Sequence, residues 1–459
     1  VSQATSQLVR PSATPPAQPP PSDIEPVHPP FAHPVKPGVP APVSTPVITP
    51  ILITNARALT LLMGRRPRRA DDFSELSILP RADVLIENGK VTGVMPSPSA
   101  LRDLQKPGLR VIDANGDVLI PGLIDCHTHA CWAGSRVDEW EQKLAGASYL
   151  DILKRGGGIM STVAAVRKAS QAELTSLLLE RLMRMLDNGT TTIEVKSGYG
   201  LSTHDEIKML RAIHDAAPKF PGTIIATALL GHALDPAEGR EDFVRKTVHE
   251  TLPAVSQEFP GIAIDAYCET AAWSPGECQE LFDKAYALEH PIRVHTDQFN
   301  ALGMTGTAAL RGFLSVDHLE ATTPAQIEVL GKSGTSAVLL PVCGFHLDGR
   351  YAPARALASK GTILAIASNL NPGSAPCYSM QFVIQLGVRH LGLSLGEAIV
   401  ASTVNAAHVL GLGDRGVIGP GQRADLVLLR TSDERDLAYE LGTNQARMVI
   451  VGGRVIRER

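Results

Sequence analysis

Three absences narrow the function classes before any motif is considered. No apolar run approaches the ~20 residues that cross a bilayer, so a helical membrane protein is not expected. The six cysteines (Cys126, Cys131, Cys268, Cys278, Cys343 and Cys377) form no CxxC pair and no closely spaced framework. They read as reduced thiols of a cytoplasmic protein. An excess of one charge is also missing: 43 Lys and Arg against 47 Asp and Glu give a net charge of -4. That balance provides no footprint for nucleic acid. The one basic cluster, GRRPRR at 64–69, reads as a solvated loop.

What is present describes a globular chain of 459 residues, 44% hydrophobic, long enough for one large domain and a smaller one. Residues 1–48 stand apart. They are rich in Pro and small polar residues and lack the basic start and apolar core of a secretory signal. Such composition buries too little surface to offset chain entropy and predicts a disordered or polyproline-like leader.

Beyond it, ITPILITNARALTL and ADVLIENGKVTGVMP predict short strands, the second with an Asn-Gly hairpin turn. ADLVLLR and ARMVIVGGRVIRE repeat the pattern at the far end. Two hairpin-rich ends predict one small β domain built from residues 49–117 and 411–459. Between them, eight strand-like runs alternate with helical segments such as QAELTSLLLERLMRMLDNG. That alternation predicts parallel βαβ units and a (β/α)8 TIM-like barrel over 118–410. The longest connection, after the first barrel strand, carries GGG at 156–158 and is a candidate substrate-covering loop.

Polar residues fall where the apolar runs end: His127 and His129, Tyr199, His232, Glu269, His295, His318 and Asn369. In a barrel these are the C-terminal strand ends, where active sites of this fold are assembled. In DCHTH, strand alternation points His127 and His129 the same way, and two imidazoles on one face suit a divalent first-row metal. The same alternation turns Cys126 away, so Cys126 and Cys131 read as packed small residues. Glu269 is a candidate partner of the metal ligands.

PGLIDCHTH, followed by His295, His318 and the polar end of strand eight, resembles the amidohydrolase superfamily. Within it, HTHACWAGSRVDEWEQKLAGASYLDI, VKSGYGLSTHDEIKMLRAI, VHTDQFNALG, SVDHLE and NPGSAP resemble the imidazolonepropionase family over most of residues 50–459. The resemblance implies a metal-bearing barrel with a β-sandwich domain made from both chain ends. It implies hydrolysis of 4-imidazolone-5-propanoate to N-formimidoyl-L-glutamate in histidine degradation, and it admits a homodimer. It also implies one divalent ion, Zn or Fe, on His127, His129 and His295 with position 369 as fourth ligand. His318 and Gln298 would serve the chemistry. Arg136, Tyr199, His232, Gln298, Asn371, Gly373 and Ser374 would bind substrate. His232 stands one place earlier than the family's usual LGAH.

Position 369 departs from the resemblance, since the superfamily normally has Asp there. Asn keeps an oxygen of similar reach but loses the negative charge and the base. Three readings follow: a slower hydrolase with His318 as base, a non-catalytic paralogue that binds an imidazole-type ligand, or a change confined to one codon. An amidohydrolase for another cyclic amide or heterocycle is a rival within the same fold.

Overall fold

The computed structural model describes residues 48–146, 157–270 and 272–459. The expected Pro-rich leader, up to residue 47, and residues 147–156 of the expected covering loop lie outside the described residues. The chain opens with β1 (Ile51–Leu59), β2 (Ile78–Glu87), β3 (Lys90–Pro96), β4 (Arg110–Asp113) and β5 (Val118–Pro121). Eight parallel barrel strands follow. They are β6 (Leu123–Asp125), β7 (Thr190–Lys196), β8 (Thr223–Gly231), β9 (Ala263–Cys268), β10 (Arg293–Thr296), β11 (Ser315–His318), β12 (Ser336–Leu339) and β13 (Ile363–Ile366). The chain ends with β14 (Leu426–Leu429), β15 (Ala446–Val451) and β16 (Arg454–Glu458).

The two chain ends share one eight-stranded sheet, ordered β16-β15-β14-β5-β1-β2-β3, with β4 also paired to β1. Alternate residues of these strands, among them Ile51, Ile53, Val84, Ile86, Leu426, Leu428, Met448 and Ile450, fill its own apolar core. This is the small β domain expected from the hairpin signals, with one boundary corrected. Val118–Pro121 was read as the start of the first barrel strand, yet it pairs with β1 and β14 in the small sheet. The break falls at Pro121-Gly122. A Cβ at Gly122 would lie 2.2 Å from the Thr191 hydroxyl, so only glycine lets the chain pass that close as it enters the barrel.

The barrel helices carry their own start signals. Ser170 and Glu173 form a capping box on the helix Gln171–Asp187, and Ser274 and Glu277 form another on Pro275–Ala287. The apolar stripe Leu174, Leu178, Leu182, Met185 packs inward at helical spacing. The GRRPRR reading also needs correction. Arg65 and Arg66 are exposed, but Arg68 is fully buried and donates to the carbonyls of Leu61 and Glu75. No helix of the described residues is long and apolar enough to cross a membrane.

Candidate active site

The barrel closes just past its strand ends. β6 and β13 meet through the residues that follow them: the His129 N–H donates to the Leu370 carbonyl (2.9 Å) and the Asn369 N–H to that of His127 (3.1 Å). Asp125 assists from below, its Oδ1 accepting from the N–H groups of Ser368 (3.2 Å) and His127 (3.4 Å). Burial pushes this carboxyl up to about 7. One backbone junction therefore sets His127, His129 and Asn369 side by side. Asn369 holds φ 56°, a left-handed conformation that Asn tolerates better than most residues.

His295, at the end of β10, completes the group. Its ring centre lies 4.5 Å from that of His127 and 5.3 Å from that of His129, and the Nε2 atoms of His129 and His295 are 3.3 Å apart. The ligand atoms of the three histidines all fall within 4.8 Å of one another. Burial and the surrounding cationic groups hold His127 and His129 well below the ordinary histidine range, so both rings are neutral.

Their tautomers follow from the outer partners. His127 Nδ1 lies 2.6 Å from Asp317 Oδ2, and His295 Nδ1 lies 3.0 Å from Asp265 Oδ1. Burial raises the Asp265 carboxyl, but His295 and Lys196 outweigh it and hold the group below the usual carboxylate range. An ionised acceptor requires the proton on Nδ1, which leaves a lone pair on each Nε2. His127 Nε2 and the Asn369 Oδ1 are buried with no hydrogen-bond partner. Neutral imidazoles presenting lone pairs to a buried amide oxygen are the donor set of a divalent transition-metal ion, and the residues present fit one.

Sequence reading missed what lies beneath. Arg293 donates to Asp317 Oδ2 (2.8 Å), to Glu194 Oε1 (3.3 Å) and to the Cys126 carbonyl (2.9 Å). Lys196 Nζ bridges Glu194 (2.7 Å) and Asp265 (2.9 Å). All five charged side chains are buried. The signal was charge recurring at period two inside apolar strands, Glu194 with Lys196 and Arg293 with His295. Glu269, a candidate partner of the ligands, acts elsewhere. It accepts from the N–H groups of Thr270, Phe299 and Asn300 and holds the loop after β10.

Above the histidines opens a cavity of roughly 200 Å³ that gathers the other expected residues. Arg136, Tyr199, His232, Gln298, His318, Asn371, Gly373 and Ser374 all line it. The pairing of β8 with β9 breaks register between Leu229 and Gly231, and His232 follows at once. His232 stacks on His129 with ring centres 5.0 Å apart, and its Nδ1–H donates to the Gly198 carbonyl (2.9 Å). Burial first of all drives its pKa down to about 3. Arg136 is held along one edge by Glu139, with Nε at 3.0 Å and Nη2 at 2.7 Å from Oε2. Its Nη1 lies over Gly373, 2.1 Å from where a Cβ would be.

Two expected donors are already occupied. Asn371 Nδ2 donates to the Asn369 carbonyl (2.7 Å) and to Ser374 Oγ (2.8 Å), and its Oδ1 accepts from the N–H groups of Gly373 and Ser374 (both 2.8 Å). The NPGS turn thus satisfies itself, because an Asn at the head of a tight turn bonds the backbone two residues on, and the Ser374 hydroxyl is hydrogen-bonded to the Cys343 sulfur. Gln298 is engaged at both ends, accepting from the Tyr267 hydroxyl (2.8 Å) and donating to Cys343 Sγ (3.3 Å). His318 keeps φ 92°, outside the range usual for a side chain bearing a Cβ. Its Nδ1 faces Glu320 Oε1 at 3.3 Å, and its ring lies 5.7 Å from that of His295.

Comparison with known proteins shows the family and the fold. Residues 145–457 match the amidohydrolase family. The chain is 43% identical over 387 residues to imidazolonepropionase of Deinococcus radiodurans, covering 84% of this chain and 95% of that one. It is 40% identical over 413 residues to imidazolonepropionase of Symbiobacterium thermophilum, covering 88% and 97%. Among solved structures, it shares its fold with a triazine hydrolase variant at a TM-score of 0.68 and 19% identity, over 89% of this chain and 95% of that one. The 5-methylcytosine deaminase of Klebsiella pneumoniae superposes at a TM-score of 0.67 and 16% identity, over 89% and 97%.

Proposed function

The chain belongs to the amidohydrolase family, and from that premise we propose that its barrel mouth opens the ring of 4-imidazolone-5-propanoate to give N-formimidoyl-L-glutamate. The enzyme is a hydrolase of a cyclic C–N bond. One observation carries the reading: neutral histidines with lone pairs fixed inward lie under a cavity whose rim bears a carboxylate-sized guanidinium edge.

Arg136 takes the propionate. Glu139 immobilises one edge of the guanidinium, and the remaining N–H groups pair with the carboxylate in a geometry lysine cannot supply. Tyr199 and the Ser374 hydroxyl complete the polar wall. His127, His129 and His295, with the Asn369 oxygen, hold one divalent ion, either zinc or iron. When bound, such an ion supplies a Lewis acid and lowers the pKa of water.

The water oxygen bonds to the ring carbonyl carbon, and the adjacent C–N bond breaks with its electron pair left on nitrogen. The proton released by water ends on that nitrogen. Asn369 accepts a hydrogen bond but cannot hold this proton, so His318 carries it. With Nδ1–H turned to Glu320, His318 Nε2 has the lone pair to receive it and the position to return it. The free state of all six cysteines supports a reducing, cytoplasmic setting.

Asn369 also favours one rival, a protein that binds the ring without opening it. Purified protein loaded with zinc or iron and given imidazolone propionate separates the two. Loss of ring absorbance with appearance of the open product by mass spectrometry is expected. Full metal content and ligand binding without product would establish the rival.

A further inference from the structure

A second cluster of metal-binding side chains stands beside the first. His318 and Glu320 flank Leu319 at the end of β11, and Cys343 comes from the helix Pro341–His346 that follows β12. One imidazole nitrogen, one carboxylate oxygen and one sulfur all lie within 4.8 Å of one another. The backbone is unusual here: His318 at φ 92° and Leu319 at φ 75° are consecutive left-handed residues that both carry a Cβ. Such strain persists only where the surrounding structure fixes it, and it is concentrated at functional sites.

The cluster is also incompletely satisfied. The Glu320 side chain is 5% exposed, its only ion pair among the described residues is to His318, and its Oε2 is buried without a hydrogen-bond partner. Cys343 is buried and its sulfur receives the Gln298 amide and the Ser374 hydroxyl; as a thiolate it has a third lone pair for a cation. A buried carboxylate oxygen with no donor is costly, and a cation relieves that cost directly. Nitrogen, sulfur and oxygen donors together suit zinc, whereas magnesium and calcium favour oxygen alone.

We propose that His318, Glu320 and Cys343 form a second zinc site that inhibits the enzyme when filled. The binding half stands on the cluster alone. The inhibitory half rests on the role of His318 given above. Zinc on Nδ1 needs that nitrogen deprotonated, so the proton of the neutral ring moves to Nε2. An Nε2–H cannot accept a proton from water, and the shuttle stops. Binding displaces the thiol proton to solvent, leaving a zinc-bound thiolate.

The test uses cobalt(II) as a spectroscopic stand-in for zinc, added to full-length enzyme whose three-histidine site is already loaded. That first site contains no sulfur, so a sulfur-to-cobalt charge-transfer band reports the second alone. The band is expected with the second equivalent, to be lost in Cys343→Ser, and to need at least about tenfold more cobalt in Glu320→Gln. Turnover should fall as the band grows, and each variant, compared with its own starting rate, should resist. No second equivalent, or a band unchanged in Cys343→Ser, overturns the site. A band that grows while turnover holds overturns both the inhibition and the assignment of His318 as proton carrier. Should Cys343→Ser fail to fold by circular dichroism, Glu320→Gln decides, and an unshifted titration there overturns the site.

Discussion

His127 and His295 are the two ends of one buried chain of charged hydrogen bonds. From His127 Nδ1 it runs through Asp317, Arg293, Glu194, Lys196 and Asp265 to His295 Nδ1, with no link longer than 3.3 Å. Three carboxylates alternate with two cations, so each acid faces a base on either side. The chain fixes which nitrogen of His127 and which of His295 is free.

The first expectation concerns Arg293. Arg293→Lys keeps the charge but loses the fork that reaches Asp317, Glu194 and the Cys126 carbonyl together. Metal affinity should fall by about 10- to 100-fold, the usual result of loosening a ligand's outer partner. Competition with a chromogenic chelator measures it. Unchanged affinity would show that the histidines are oriented without this chain.

Asn369→Asp should restore a charge and a base where the amide is neutral. The left-handed backbone at 369 accepts Asp as it does Asn. Turnover should rise by about tenfold or more, since a positioned general base contributes roughly 10²–10⁴. Metal retention through dialysis should rise with it. No gain in either quantity would remove the account of His318 as a substitute base.

Gly373→Ala places a methyl 2.1 Å from Arg136 Nη1, and the guanidinium must move. The loss should fall on ground-state binding of the propionate, raising KM about tenfold with a smaller change in kcat. Steady-state kinetics on the intact substrate reads this split. Arg136→Lys should reproduce it, and a pure kcat effect in both would place Arg136 outside the carboxylate site.

Asp83 gives a pH dependence of stability distant from the chemistry. Burial raises its carboxyl, but hydrogen bonds from Arg102, the Asn55 N–H and Ser99 outweigh this and hold it below the usual carboxylate range. A depressed folded pKa means that the stabilisation is complete above the unfolded value of ~3.9 and is lost as pH falls through the folded value. Asp83→Asn should lower stability at pH 7 by about 1–3 kcal/mol and flatten the acid side of the profile. Thermal midpoints from pH 7 down to 3 test the sign.

Strand count, order and the polar strand ends were legible because side chains alternate along a strand and a parallel barrel gathers its C-terminal ends. His127 with His129 is a local pattern of that kind. The boundary at Gly122 was harder to place, since VLIPGLID is one apolar run and only the approach to Thr191 divides it. The NPGS turn looked like an array of free donors, because a sequence does not record that Asn371 uses its own neighbours.

By itself the sequence determined the alternation of strand and helix, the chemistry of each strand end, and the missing carboxylate at 369. Which groups meet was decided only by closure of the barrel. Asp317 reaches His127 across 190 positions of the chain, and Asp265 reaches His295 from the strand before it. Cys343 came beside His318 in the same way. Side-chain period is a property of neighbours along the backbone, whereas tautomer, burial and charge pairing depend on what another strand brings within about 3 Å.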